Sequence, residues 1–576
     1  MDICSILKFS NKSKTKFWIT LSLTVAVVYG ILGLQQAFSS PYVVQDDARQ
    51  HVFWMQRFLE PQLFPDNWIA NYFQSVAPTG YTSLYRFMAG IGIEPLIFNK
   101  FLPLFLTLIT TGYCFKFILQ IIPVPIAAFI SSLLLNQTLW SYNDLVSATP
   151  RAFVYPLLLA FWYYCLRRSL LPCLGALALQ GLFYPQTVFI SAGILILQLF
   201  KWEGGRIHWS QKRGDYLFCL SGLVVAFVVM LPYALTTSEF GPIVSATQAR
   251  NMAEFLPGGR TTFFEDNFWE FWLNGDRSGI LPRRESLPIL LYAAFLLPLL
   301  LRYPSQFPLS RRVKPGVFLL PQTLLVSLSL FFVAHALLFK LHLPSRYTQH
   351  SFRLILSLAA GIALTILLDG IFHWAAQTTQ SRLSKIGSRS LALGFAAFVG
   401  VLLIGYPSFV EEFPKTAYKQ GNAPELYEFF ASQPQDSLIA SLSREADNLP
   451  TFSGRSILVS REYAIPYHQG YYQPFRQRVI DLLTAQYSAD LAQVQDVIKK
   501  YEIDFWLLDR SAFTSDYLVN NSWLQQYQPI ATEALTQLQQ GKIPVLATMM
   551  ERCTIFQTEE TVVLQADCIL ENVPPG

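Results

Sequence analysis

Charge is scarce in this chain. Asp, Glu, Lys and Arg together make up 14% of its 576 residues, against 52% hydrophobic and 15% aromatic side chains, a balance too apolar for a soluble domain of this size. The net charge of +5 is small and no polybasic arm is present. Lys and Arg gather in short stretches between apolar runs, so the basic excess reads as membrane topology, and no nucleic acid is expected as a partner. A Walker A loop, a metalloprotease His pair, a nucleophile elbow and a paired Cys-x-x-Cys are all missing. ATP-driven transport, zinc proteolysis and serine-hydrolase chemistry therefore lack their residues. Internal repeats are lacking too, which counts against a secondary transporter, a class built from paired halves with acids near the bilayer midplane.

Long apolar runs are what the chain has. About eleven approach the ~20 residues needed to cross a bilayer: Phe17 to Phe38, Leu96 to Ile122, Pro125 to Trp140, Phe153 to Leu166, Leu170 to Tyr184, Thr187 to Phe200, Tyr216 to Leu235, Leu287 to Leu301, Val317 to Phe339, Leu354 to Trp374 and Leu391 to Tyr406. Two of them meet at Tyr184-Pro185, where a tight hairpin and a broken helix are both open readings. Lys8, Lys12, Lys14 and Lys16 precede the first run, which is longer than a signal-peptide core. An uncleaved signal anchor is expected, although Ala37-Phe38-Ser39 resembles a cleavage site.

With the N-terminus in the cytoplasm, alternate loops collect the cations: Arg167 and Arg168, then Lys201, Arg206, Lys212 and Arg213, then Arg302, Arg311, Arg312 and Lys314, then Arg382, Lys385 and Arg389. An odd number of crossings then sends the polar tail outside. The expected division is a transmembrane domain at residues 1–408, with long outer loops at 39–95 and 236–286, and a soluble extracytoplasmic α/β domain at 409–576. In the tail, Pro424 to Ser432 and Ala489 to Tyr501 have helical spacing, while Ser437 to Leu442, Ser456 to Ser460 and Ile503 to Asp509 read as buried strands. Cys553 to Phe556 and Thr561 to Leu564 fit a hairpin. Cys4, Cys114, Cys165, Cys173 and Cys219 fall in membrane or cytoplasmic segments, leaving Cys553 and Cys568 alone outside, as a disulfide or as two buried thiols.

Against this apolar background an adjacent acidic pair, Asp46 and Asp47, follows the first run. A carboxylate beside a bilayer is costly unless it meets water, a partner or a ligand. Apolar residues Val52, Met55 and Leu59 follow at helical spacing, so either acid would serve as a helix cap. A cap needs one acid, however, and Arg49, His51 and Asp66 lie in the same long loop. Asp66, in Leu63-Phe-Pro-Asp-Asn-Trp, reads as a Pro-Asp turn. In a second outer loop, Asn143 and Asp144 either end a helix or join the acids, and Arg151 stands at the mouth of the next run.

The segment Lys340-Leu-His-Leu-Pro-Ser-Arg-Tyr-Thr-Gln-His-Ser-Phe-Arg breaks the positive-inside pattern. Lys340, His342, Arg346, His350 and Arg353 cluster at an outer boundary, where cations mark a bound anion or snorkel to membrane lipid. Arg346 and Arg353 stand two helical turns apart. Between Thr236 and Ser286, Pro257-Gly-Gly-Arg260 and the aromatic run Phe263 to Trp272 suggest a stretch at the membrane surface, a gating or acceptor-binding loop or a plain aromatic belt.

A basic N-terminus, one helix, an acidic pair opening a long first outer loop, about ten further helices and an outer α/β domain resemble the GT-C superfamily of membrane glycosyltransferases. That superfamily includes oligosaccharyltransferases, protein mannosyltransferases and aminoarabinose transferases. In the tail, Pro450-Thr-Phe-Ser-Gly-Arg455, Tyr471-Tyr472 and Tyr501-Glu-Ile-Asp-Phe-Trp-Leu-Leu-Asp509 resemble the outer domain of oligosaccharyltransferase-like proteins. The Trp-Trp-Asp acceptor signature is missing, which argues against glycosylation at Asn.

The resemblance implies an α-helical polytopic protein of the inner membrane, of about eleven transmembrane helices, with a C-terminal extracytoplasmic α/β domain. It implies transfer of a sugar from a polyprenyl-phosphate-linked donor to an extracytoplasmic acceptor. Asp46 or Asp47 would be the general base, and Arg346, His350, Arg353 and Arg151 would bind the donor phosphate. A metal is optional: Mg²⁺ or Mn²⁺ would take oxygens from Asp47 and Asp144. The alternative is a non-catalytic or transport protein that handles lipid-linked glycans with the same cations.

Overall fold

The computed structural model describes residues 12–203, 206–235, 239–282, 287–377 and 382–572; Cys4 and Lys8 lie outside them. Each apolar run forms a helix, because only a helix satisfies its own backbone hydrogen bonds in an apolar surround. In chain order these are α1 (Lys12–Ala37), α2 (Pro95–Ile121), α3 (Pro125–Trp140), α4 (Val154–Leu166), α5 (Leu170–Phe183), α6 (Gln186–Leu197), α7 (Arg213–Leu235), α8 (Leu297–Arg302, entered through a 3₁₀ turn Ile289–Leu296), α9 (Leu319–Ala336), α10 (Ser345–Gln377) and α11 (Arg382–Phe409). Proline at the first turn of α2 and α3 starts them where its missing N–H costs nothing. Between α5 and α6 the chain breaks at Tyr184-Pro185, so the joint separates two helices. Among the described residues, six helices are long and apolar enough to cross a membrane; α5, α6 and the Ile289–Arg302 helix are shorter apolar ones.

The helices share two ends. At one, Arg168 pairs with Asp215 at 2.9 Å, Lys201 lies 3.7 Å from the same carboxylate, and the Lys314 N–H donates to the Ile121 carbonyl at the foot of α2. At the other, the Lys415 N–H donates to the Trp140 carbonyl where α3 stops. Helix α10 is the inner post of the bundle and packs along α3. At Gly361 a Cβ would stand 2.5 Å from the Ser131 Cα, so only glycine permits this approach.

Past α1 a short strand, β1 (Val43–Gln45), pairs antiparallel with β2 (Tyr418–Gln420), which follows α11. The rest of the tail carries a five-stranded sheet in the order β4-β3-β5-β7-β6: β3 (Leu438–Ser441), β4 (Ser456–Ile457), β5 (Phe505–Asp509), β6 (Thr554–Gln557) and β7 (Thr561–Gln565). Strands β3, β4 and β5 are parallel, whereas β7 runs antiparallel to β5 and β6. Central β5, Phe-Trp-Leu-Leu-Asp, is buried on both faces, as its continuous apolar run requires. Helices Pro424–Ala431, Gln469–Gln486 and Leu491–Tyr501 accompany the sheet. Cys553 and Cys568 form a disulfide.

Candidate active site

The β1–β2 ribbon places the acidic pair. Its last bond runs from the Asp46 N–H to the Ala417 carbonyl at 3.1 Å, and the chain then turns into a single helical turn, Ala48–His51, and a 3₁₀ segment, Phe53–Phe58. The expected longer helix is broken here. Neither acid caps it by its side chain: Asp47 holds the N-cap position without a cap bond, and the Gln45 side-chain oxygen accepts from the Asp47 N–H at 2.8 Å. With Gln45 in that place, both carboxylates are released for other partners. Asp66 sits in a turn at φ 46°.

The two acids part company. Asp46 accepts from Arg49. Arg49 also donates to Asn448 at 3.0 Å and to Glu462 at 3.1 Å, both from the C-terminal part. Asp47 accepts from Arg151, whose Nε lies 3.4 Å from Asp144. The opposite Asp144 oxygen accepts from Arg353 and, at 3.1 Å, from the Tyr155 hydroxyl. One charged chain, Asp47, Arg151, Asp144 and Arg353, thus links the first loop to α10.

Helix α10 begins at Ser345, so Arg346, His350 and Arg353 fall on one face at i, i+4 and i+7. Arg353 is held by Asp144, by Tyr155 at 2.9 Å and by the Tyr142 ring 3.9 Å from its guanidinium carbon. His350 faces the Tyr155 hydroxyl at 3.0 Å through Nδ1, while its buried Nε2 has no hydrogen-bond partner among the described residues. Arg346 is half-buried, and no described residue forms a hydrogen bond or ion pair with its guanidinium. Its charge reaches Asp47. Burial raises the Asp47 carboxyl, but Arg151, His51, Arg346 and Arg260 outweigh burial and hold it below its ordinary value. Burial also pushes His51 down to about 4, against the pull of Asp47, so His51 is neutral at pH 7.

The residues present do not fit a divalent ion. The Arg151 guanidinium bridges Asp47 and Asp144, and Asp144 is further shared by Arg353 and Tyr155, so the oxygens an ion would need already face cations. The optional Asp47–Asp144 metal pair is here a pair of acids bridged by Arg151. Exposed Lys340 has no part in the cluster. Sequence reading missed Tyr155, which stands at i+4 from Arg151 and is detectable by helical spacing, and Glu462, whose neighbours carry no motif. A cavity of about 1570 Å³ opens elsewhere, at the carboxyl ends of β3 and β5, lined by Ser443, Glu445, Asp509 and Tyr517 among others. Hydrogen bonds through Glu445, Asn448 and Arg49 link it to Asp46.

No family model and no curated protein matches the chain. Among solved structures it is similar to the oligosaccharyltransferase AglB of Archaeoglobus fulgidus in complex with an inhibitory peptide and a dolichol-phosphate, at TM-score 0.53 and 11% identity, over 90% of this chain and 72% of that one. The same archaeal enzyme tethered to an acceptor peptide gives TM-score 0.52 and 12% identity over the same shares. ArnT from Cupriavidus metallidurans, in the apo state, gives 0.47 and 12% over 97% of this chain and 99% of that one. By this likeness the chain shares the fold of the archaeal oligosaccharyltransferase.

Proposed function

We propose that the protein is a membrane glycosyltransferase that moves a sugar from a polyprenyl-phosphate-linked donor to an extracytoplasmic acceptor. The observation that carries this reading is an Arg346 guanidinium without an ion-pair partner among the described residues, whose charge reaches an Asp47 that Arg151 holds in place. A phosphate entering beside Arg346 is a second anion for Arg151. It draws Arg151 away from Asp47 and leaves that carboxylate free to accept a proton.

The acceptor oxygen or nitrogen then attacks the anomeric carbon, its proton passes to Asp47, and the bond to the phosphate oxygen breaks with its electron pair on the lipid phosphate. Arg346 and Arg151 hold the departing charge. A single displacement inverts the anomeric centre. Arg353, engaged by Asp144, acts as a scaffold for that carboxylate, and His350 lines the same face of α10.

Eleven crossings with the N-terminus in the cytoplasm place residues 409–576 outside as an α/β domain of the inner-membrane protein, with residues 1–408 as the transmembrane domain. Two features support this. Strands β1 and β2 pair directly, so the chain leaves α1 and α11 on the same side, and an even number of crossings lies between. The Cys553–Cys568 disulfide suits an oxidising compartment.

A second reading has its own observation. Asp47 is already neutralised by Arg151, as suits a protein that binds lipid-linked glycans without transferring them. The test is purified protein with labelled undecaprenyl-phosphate sugar, comparing wild type with Asp46→Asn and Asp47→Asn. Transfer lost with donor binding kept supports the enzyme; full transfer by the double variant overturns the base, and binding without any transfer by wild type supports the second reading.

A further inference from the structure

Glu462 lies in the C-terminal part and is 5% exposed, yet its contacts belong mostly to the first and fourth outer segments. Its Oε2 faces Arg49 at 3.1 Å and Arg260 at 3.3 Å. Oε1 accepts from the Gln50 side chain, which also donates to the Glu462 carbonyl at 2.9 Å. Arg49 and Gln50 follow directly on the acidic pair, whereas Arg260 comes from the aromatic 236–286 segment. The carboxylate is itself fixed: its own N–H donates to Asp447 at 2.8 Å, and the Tyr463 hydroxyl donates to the Arg49 carbonyl at 3.0 Å.

Arg260 has two acids within reach of its charge, Glu462 in contact and Asp47 farther off. The other bonds of its guanidinium go to the Arg461 carbonyl at 3.1 Å and the Glu462 carbonyl at 3.4 Å, neither of which carries a full charge. One buried and one half-buried cation on a single carboxylate make that carboxylate hard to replace, since a poorly solvated charge left unmatched is costly and favours another counter-charge. One alternative for Arg260 is Asp47, whose carboxyl its charge already lowers.

We propose that Glu462 is a positioning residue for the site: it fixes Arg49, and through it Asp46, and it holds Arg260 off Asp47, so the C-terminal part completes the reaction centre. The effect on transfer rests on the glycosyltransferase reading; the restraint on Arg260 does not. The charged and titratable groups facing Glu462 are Arg49 and Asp46 from the first loop, Arg260 from the 236–286 segment, and Asp447, Arg461 and Tyr463 from its own surroundings. Burial raises the Glu462 carboxyl to about 7 despite the two arginines, so the clamp gains charge as pH rises through neutrality.

The experiment compares the full-length wild type with Glu462→Gln, Glu462→Asp and Glu462→Gln/Arg260→Gln in lipid nanodiscs. Two readouts are followed: steady-state transfer from labelled undecaprenyl-phosphate sugar, and hydrogen exchange of segments 48–58 and 259–264, corrected for intrinsic rates. Glu462→Gln is expected to lower kcat tenfold or more with donor KM within twofold, because Arg260 then neutralises Asp47 and leaves Arg346 untouched. The double variant recovers most of that loss, Glu462→Asp recovers part, and the step near pH 7 in the wild-type rate disappears from Glu462→Gln.

Wild-type kcat in Glu462→Gln, or a loss that removal of Arg260 does not relieve, overturns the proposal. If wild type transfers no sugar, the glycosyltransferase reading fails on its own. Exchange then decides: loosened segments in Glu462→Gln, with protection in wild type rising through pH 7, uphold the positioning role, and unchanged segments overturn it.

Discussion

Asp47 and Arg151 neutralise each other, and this pairing sets what each residue can do alone. Asp47→Asn removes the proton acceptor and frees Arg151 together, so transfer is expected to fall about 10²–10⁴-fold while undecaprenyl phosphate binds at least as tightly, as a filter-binding titration would show. Asp47 lies below its ordinary value because Arg151 and its neighbours outweigh burial. A depressed carboxyl contributes stability above its unfolded value and loses it as pH falls through the folded one. Asp47 therefore stays ionised across the neutral and mildly acid range, and its protonation adds no acid limb to the rate profile there. Arg353 presents the opposite case. It is buried against Asp144 and Tyr155, so Arg353→Gln leaves the buried Asp144 carboxylate to Arg151 and Tyr155, at a cost of about 1–3 kcal/mol. Adding Asp144→Asn is expected to return part of that cost in thermal unfolding.

Helix α10 carries Arg346, His350 and Arg353, so its seat against α3 sets their height relative to the acidic pair. At Gly361 an added Cβ would meet the Ser131 backbone, and Gly361→Leu is expected to destabilise by about 1–3 kcal/mol, read as a lowered melting temperature. It leaves the charge of every site residue unchanged, so a weakened affinity for undecaprenyl phosphate in this variant reports the helix position alone. The same helix shows why parts of the site were legible in the sequence. Arg346, His350 and Arg353 repeat at the period of the helix that holds them, and a repeat survives translation into space. The apolar runs were legible for a similar reason, and so was β5, whose five residues are apolar until Asp509. The first outer loop was not. Val52, Met55 and Leu59 have helical spacing, but Asp47 takes its turn bond from Gln45 and the segment tightens to 3₁₀, a competition between a side chain and the backbone that no periodicity registers. Helix Gln469–Gln486 escaped as well, being polar on balance with Pro474 inside it.

At the scale of the whole molecule the acidic pair is a product of distant contacts. Val43 pairs with Gln420, and Arg49 meets Asn448 and Glu462, partners separated by most of the chain. Sequence spacing contains nothing of this, which is why Glu462 and the closed Cys553–Cys568 pair needed distances to be seen. The β1–β2 pairing also constrains topology more tightly than hydropathy does. Of the helices from α2 to α11, several are short for a bilayer, and hydropathy alone leaves their crossings uncertain. Pairing requires their number to be even, because a ribbon cannot form through a membrane. The disposition of the loops then follows from one measurement. An impermeant maleimide applied to intact spheroplasts is expected to label a cysteine placed at exposed Glu559 and to spare one at exposed Ile207, with both labelled after permeabilisation. Labelling of position 207 alone would turn the protein over and put Asp46 and Asp47 on the cytoplasmic face. Labelling of both in intact cells would mean that the ribbon and the Arg168–Asp215 end share one side, which the opposed ends of α2 and α3 forbid.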